Sequence, residues 1–161
     1  MIRLNLGSGF HVKPGWDNLD AVFGHMLPGA LSRYATGSVA EVFSEHFIEH
    51  LTWEQGLALM RECRRVLAPD GALRFSCPDL RKLVQRYLEG RIRDYGGAWL
   101  PESPCAMLNE GLRAWGHQYL YDAPELERLA RAAGFSRVQF TDRHQECLRY
   151  DFGDLYLLAE L

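Results

Sequence analysis

The sequence predicts an α/β layer fold built on one mainly parallel sheet. Three observations carry that expectation. Short apolar strands alternate with segments of helical periodicity, two of those segments open on capping boxes, and the first strand runs straight into a glycine turn, Gly7-Ser8-Gly9. With 161 residues the chain can build one core but not two ordinary domains, so residues 1–161 are read as a single domain.

Residues 2–6 alternate apolar and polar side chains before the glycine turn, the pattern of a short strand. Trp16–Asp20 is the second strand, introduced by Pro14-Gly15. Only about ten residues join the two, fewer than a parallel crossover with a full helix needs, so a loop or one helical turn is expected there. Val39–Ser44 is the third strand. Thr52-Trp53-Glu54-Gln55 forms a capping box, with Thr52 at the N-cap and Gln55 at N3, and its helix carries Leu57, Met60, Cys63 and Leu67 on one face. Pro69-Asp70-Gly71 then turns the chain into an apolar strand, Ala72–Cys77.

Asp79 can cap a helix with the stripe Leu80, Leu83, Val84 and Tyr87, stopped by Gly90. Residues 90–104 are rich in Gly, Pro and Trp and read as an irregular excursion, after which Ser103-Pro104 starts another helix. Asp122-Ala123-Pro124-Glu125 is the second capping box, and its helix runs through Leu126, Leu129, Ala130 and Ala133 to Gly134. Arg137–Thr141 and Leu155–Leu161 read as two closing strands.

Apolar residues make up 47% of the chain and charged residues 24%, the mix of a soluble globular protein. A net charge of −3 and a pI near 6.1 provide no field that would steer the chain onto nucleic acid or an anionic membrane, so neither partner is expected. No run of about 18 apolar residues occurs, and Met1–Leu6 lacks the apolar h-region of a signal peptide. Cys63, Cys77, Cys105 and Cys147 form no C-x-x-C pair. Together these features predict a cytoplasmic protein with reduced thiols.

Glycines at the end of a first strand let the backbone approach a nucleotide-like ligand closely, although two glycines also make an ordinary turn. Asp20, at the end of the second strand, can accept hydrogen bonds from both hydroxyls of a ribose; a surface turn aspartate is the plainer use. Ser44–Leu51 follows a strand and precedes a capped helix, and Arg64–Gly71 leads into the strand that ends Cys77-Pro78-Asp79.

In this order the segments resemble class I S-adenosylmethionine-dependent methyltransferases of the type-11 group. The motifs that carry the resemblance are Leu4–Gly9, Gly15–Asp20, Glu49–Leu51, Arg65–Gly71 and Ala133–Phe135. Each is soft, but they occur in the right order over nearly the whole chain. The resemblance implies a Rossmann-like three-layer sandwich, shortened at the N-terminus, whose mainly parallel sheet has seven strands with the last antiparallel. It implies S-adenosylmethionine as cofactor, at the carboxyl ends of the strands. The cofactor-binding residues would be Asn5, Gly7, Ser8, Gly9, Asp20, Met26, Leu27, Ser44, Glu45 and His46. Gly7 and Gly9 would line the methionine part, Asp20 would hold the ribose, and the adenine would lie over His25-Met26-Leu27. Ser44 to His46 would border the sulfonium and the acceptor.

The implied reaction moves a methyl group to an oxygen or nitrogen of a small metabolite or sugar. A non-catalytic cofactor-binding or partner-binding module on the same fold is the second reading. The chain begins at its first strand, without the N-terminal helices that commonly cover the site in this family. An open site suits a large acceptor, a second copy of the chain that closes it, or lost activity, so a homodimer is among the expectations.

His117, His46 and Glu49 are the candidate catalytic residues. The imidazole of His117 is the side-chain type suited to general-base work near neutrality, and a hydrogen bond to a loop carbonyl is its plainer use. His46-Phe47-Ile48-Glu49-His50 also matches H-x-x-E-H, in which two histidines share a zinc ion and the glutamate is the base. Zinc there would need a third ligand and a helix continuing past both histidines. The Thr52 cap leaves room for one turn at most, so no metal is expected. His11, His25 and His144 read as surface residues. Trp99, Trp115, Tyr119 and Tyr121 suit an acceptor wall less well than core packing.

Overall fold

The computed structural model describes residues 1–24, 26–92, 100–141, 147 and 154–161. Its strands are β1 (Ile2–Leu6), β2 (Asp17–Leu19), β3 (Val39–Glu45), β4 (Leu67–Pro78), β5 (Arg137–Phe140) and β6 (Asp154–Glu160). They form one sheet in the order β2-β1-β3-β4-β6-β5. β1 to β4 pair in parallel, and β6 is antiparallel to both β4 and β5, as expected of the last strand. Among the described residues the sheet has six strands rather than seven. Between Leu19 and Val39 the described residues hold two 3-10 turns, Ala21–Phe23 and Gly29–Arg33, and the stretch is too short for another strand with a crossover on either side.

One face of the sheet is covered by α1 (Trp53–Val66) and α4 (Ala123–Ala133). Leu59, Met60, Cys63 and Val66 of α1 and Leu126, Leu129 and Ala130 of α4 are buried in one cluster with Leu4, Leu6, Val42, Leu73 and Phe75 of the strands. The expected loop between β1 and β2 is present, with no helix in it. In that region the opposite face carries a small cluster of Phe43, Cys147 and Tyr156 with Trp16 packed on it.

Local signals explain the helix starts. Thr52 Oγ1 accepts from the Gln55 N–H at 3.3 Å and Gln55 Oε1 accepts from the Thr52 N–H at 2.9 Å, so the first capping box is complete. The second is half formed. Asp122 Oδ1 accepts from the Glu125 N–H at 3.0 Å, but the Glu125 carboxylate turns to Tyr119 and Arg128 instead of back to the cap. Ser103 caps α3 (Pro104–Arg113), with Pro104 in its first turn. The Pro69-Asp70-Gly71 turn lies inside β4: Val39 pairs with Leu67 and Glu41 already with Ala72, so the extra residues bulge out of the ladder. In α2 (Leu80–Leu88) only Leu83 is buried, while Val84 and Tyr87 are exposed. This helix packs on α3, where a Cβ on Gly111 would lie 2.6 Å from Leu83.

Candidate functional site

Leu6 stands level with Leu19 on one side and Ser44 on the other, and Glu45 stands level with Ser76. The chain therefore leaves β1, β2 and β3 at one edge of the sheet, and Gly7, Asp20 and His46 are brought to that edge together. It runs outward from β1 to β2 and then back across to β3, so the direction of winding reverses between β1 and β3. In open α/β sheets ligands bind at such a reversal.

Asp20 is fixed by backbone. Its Oδ2 accepts from the Gly9 N–H and its Oδ1 from the Val22 N–H, each at 2.9 Å. Gly7 and Gly9 both have left-handed backbone, with φ of 62° and 49°. They differ in surroundings. A Cβ on Gly9 would meet nothing within 4 Å, whereas one on Gly7 would lie 2.3 Å from the Phe47 ring. Only Gly9 faces open space. The cavity between Asn5, Ser8, Lys13 and Phe43 has a volume of about 10 Å³.

Several predicted cofactor residues serve the protein's own structure. Asn5 Nδ2 donates to the His11 carbonyl at 3.0 Å and to Asn18 Oδ1 at 2.8 Å. Ser44 Oγ donates to the Leu6 carbonyl at 3.1 Å, and Ser8 Oγ lies 3.3 Å from the Gly9 carbonyl. Glu45 is buried at the end of β3. Met26 is exposed and Leu27 packs partly against the core. Two residues that sequence reasoning passed over shape the loop. Asn18 accepts from the Asn5 amide and the Lys13 N–H and donates to the Lys13 and Trp16 carbonyls. Lys13 is buried, with its Nζ 4.2 Å from the centre of the Phe43 ring.

His46 follows β3 with left-handed backbone, φ 53°. Its Nε2 lies 2.9 Å from Asp154 Oδ2 and its Nδ1 3.3 Å from Glu49 Oε1. Burial opposes its charge, but the carboxylates of Asp154 and Glu49 on its two nitrogens lift its pKa to about 9. Glu49 is fully buried, and neither of its carboxylate oxygens takes part in a hydrogen bond.

The 3-10 turn Ile48–His50 replaces the continuous helix that H-x-x-E-H requires. Instead, His50 stands beside His117, ring centres 5.0 Å apart. His117 Nδ1 lies 2.8 Å from the Gly111 carbonyl, which belongs to the last turn of α3 rather than to a loop. A carbonyl only accepts, so Nδ1 carries the hydrogen and Nε2 the lone pair. Of the aromatic residues, Tyr121 is in the core, Tyr119 donates to Glu125, and Trp115 is exposed next to His117. His11 is exposed. His25, Trp99 and His144 lie outside the described residues.

The strand order, the antiparallel β6 and the glycine loop at the reversal define the fold of class I S-adenosylmethionine-dependent methyltransferases, and solved structures share it. A SAM-dependent methyltransferase from Archaeoglobus fulgidus is matched over 99% of this chain and 85% of its own, with a TM-score of 0.58 and 12% identity. PigF with SAH is matched over 99% of this chain and 50% of its own, at 0.54 and 13%. Phosphoethanolamine N-methyltransferase 2 from Haemonchus contortus, in complex with S-adenosyl-L-methionine, is matched over 88% and 34%, at 0.54 and 16%. The chain thus spans half or less of the latter two proteins. No protein-family model and no curated protein matches the sequence.

Proposed function

We propose that the chain is a methyltransferase that takes its methyl group from S-adenosylmethionine and delivers it to an oxygen or nitrogen of a small acceptor. One observation carries this reading: the Asp20 carboxylate is held by the Gly9 and Val22 N–H groups beside a glycine loop at the winding reversal. A carboxylate has about four lone-pair sites, and the two backbone bonds leave the others for ribose hydroxyls. The residues fit the cofactor at this end, since the loop is open at Gly9.

At the Gly7 end, Phe47 stands against Gly7 and the cavity beside Lys13 holds about 10 Å³, far below the 300–1,000 Å³ of ligand sites, so a methionine moiety bound there needs Phe47 and Lys13 to give way. Both side chains move aside on binding in this reading. Were both to stay in place, the second reading would hold in its partner-binding form, a non-catalytic module on the same fold.

The cofactor supplies a methyl on a positive sulfur, open to in-line attack by the acceptor. The chain supplies orientation, which can contribute roughly 7–11 kcal/mol of a barrier. His46 keeps its proton between two carboxylates and is a poor base. His117 offers the Nε2 lone pair to an acceptor's proton, and Glu49 sets the charge around His46.

S-adenosylhomocysteine should raise the melting temperature, and NAD should not. The NAD fingerprint has a third glycine and an acid about 20 residues on, whereas here Asp20 follows Gly9 by 11. Stabilisation by NAD and not by the adenosyl ligand would overturn the reading. Release of S-adenosylhomocysteine in the presence of an acceptor separates enzyme from binding module.

A further inference from the structure

We propose that Glu49, His50 and His117 form a site for one divalent transition-metal ion of the zinc class. One possible ligand atom from each residue lies within 4.8 Å of the other two. Zinc–nitrogen and zinc–oxygen bonds of about 2.0–2.2 Å bring ligand atoms to roughly 3.5 Å of one another. The side chains therefore need to close by about an ångström, within the reach of small torsional changes.

Two features point to a cation here, and a third holds the ligand segments together. The first is the Glu49 carboxylate, which is fully buried with neither oxygen in a hydrogen bond and shares its ion-pair partner, His46, with Asp154, so that two buried carboxylates face one imidazolium and negative charge is in excess. The second is the tautomer of His117. Its Nδ1–H is directed at the Gly111 carbonyl at 2.8 Å, the outer-shell bond that orients metal-ligating imidazoles, and it leaves Nε2 as the ligand nitrogen. The third is the lacing between the two segments. The Gln118 and Tyr119 N–H groups donate to the Glu49 carbonyl at 2.8 and 3.2 Å, and Gln118 Nε2 donates to the His50 carbonyl at 2.7 Å. Trp115, in left-handed backbone at φ 56°, turns the chain so that His117 arrives beside His50. Such backbone in a bulky residue is strained and persists where the surroundings impose it.

His46 is not a ligand, because both its nitrogens already face carboxylates. Only the second half of H-x-x-E-H takes part, and the third ligand comes from a distant loop. Two imidazoles and one carboxylate suit zinc, iron(II), cobalt(II) or nickel, and do not suit magnesium or calcium. With metal bound, His117 Nε2 is a ligand and no longer a base.

The test uses the whole chain, freed of metal with a chelator, without cofactor or acceptor. Zinc is titrated by calorimetry and cobalt(II) by visible absorption. One ion per chain is expected, with magnesium failing to compete. His117→Ala should weaken zinc binding by more than about 100-fold, beyond the 10–100-fold typical of an outer-shell partner. His50→Ala should do the same, and His11→Ala should change nothing. Should Glu49→Gln fail to fold, the two histidine variants, with folding checked by circular dichroism, carry the test. Absence of one-to-one binding, or binding that survives His117→Ala, overturns the site. Binding of S-adenosylhomocysteine is measured separately, so failure here leaves the methyltransferase reading standing.

Discussion

The Gly9 N–H donates to Asp20 Oδ2 over 2.9 Å, tying the loop after β1 to the end of β2. Asp20 is thus both an anchor of that loop and the proposed ribose ligand. Charge-assisted hydrogen bonds are worth roughly 1.5–3 kcal/mol each, so Asp20→Ala should weaken S-adenosylhomocysteine binding by on the order of 10²-fold or more. Removing a cap should also cost about 1 kcal/mol of stability. Asp20→Asn should fall between. Asp17 accepts instead from the Tyr34 hydroxyl at 2.8 Å. Calorimetry should find Asp17→Ala unchanged in affinity; an equal loss would mean that Asp20 is not the ribose ligand.

Asn18 organises the turn that carries Lys13 and Trp16 through four hydrogen bonds. At about 0.5–1.5 kcal/mol each, Asn18→Ala should cost roughly 2–6 kcal/mol. Chemical denaturation measures it. A loss below about 0.5 kcal/mol, the level of an ordinary surface change, would show that the turn holds without Asn18.

The two glycines of the loop should respond differently. Gly9→Ala meets only left-handed strain, about 1–2 kcal/mol, because its Cβ would find open space. Gly7→Ala adds a collision with Phe47 at 2.3 Å and should cost distinctly more. Phe47→Ala in the Gly7→Ala background should recover the excess. Equal losses at the two glycines would mean that Phe47 yields freely.

His46 and Asp154 form a buried pair at 2.9 Å. Removing one partner of such a pair typically costs 3–5 kcal/mol, so Asp154→Ala should destabilise by about that much. His46→Gln with Asp154→Ala should cost much less than the sum of the single changes. Additive losses in a double-mutant cycle would show that the pair is not coupled.

The helix starts were legible because capping is local chemistry: Thr52 and Gln55 are three residues apart and need no tertiary help. The glycine turn and Asp20 were legible for a related reason, since each marks the end of a strand. The Asp154 partner of His46 was not. It lies 108 residues away and arrives through the pairing of Pro78 with Asp154, a register that no local pattern encodes. Asn5 shows what a motif leaves unread: beside the proposed ligand contact, its amide ties the His11 carbonyl and Asn18 together, bonds that only the folded loop reveals. The seventh strand was expected from resemblance alone, and the connection between Leu19 and Val39 is too short to hold it.

β6 is inserted between β4 and β5, although β5 precedes it in the chain. As the protein emerges from a ribosome, β5 therefore has no partner until residues 154–160 follow, and His46 lacks Asp154 for the same interval. The parallel strands and α1 can assemble early, but the far edge of the sheet waits on the arrival of one late segment. During that wait β4 offers an open, apolar edge, the kind of surface that recruits chaperones or pairs with a neighbouring nascent chain.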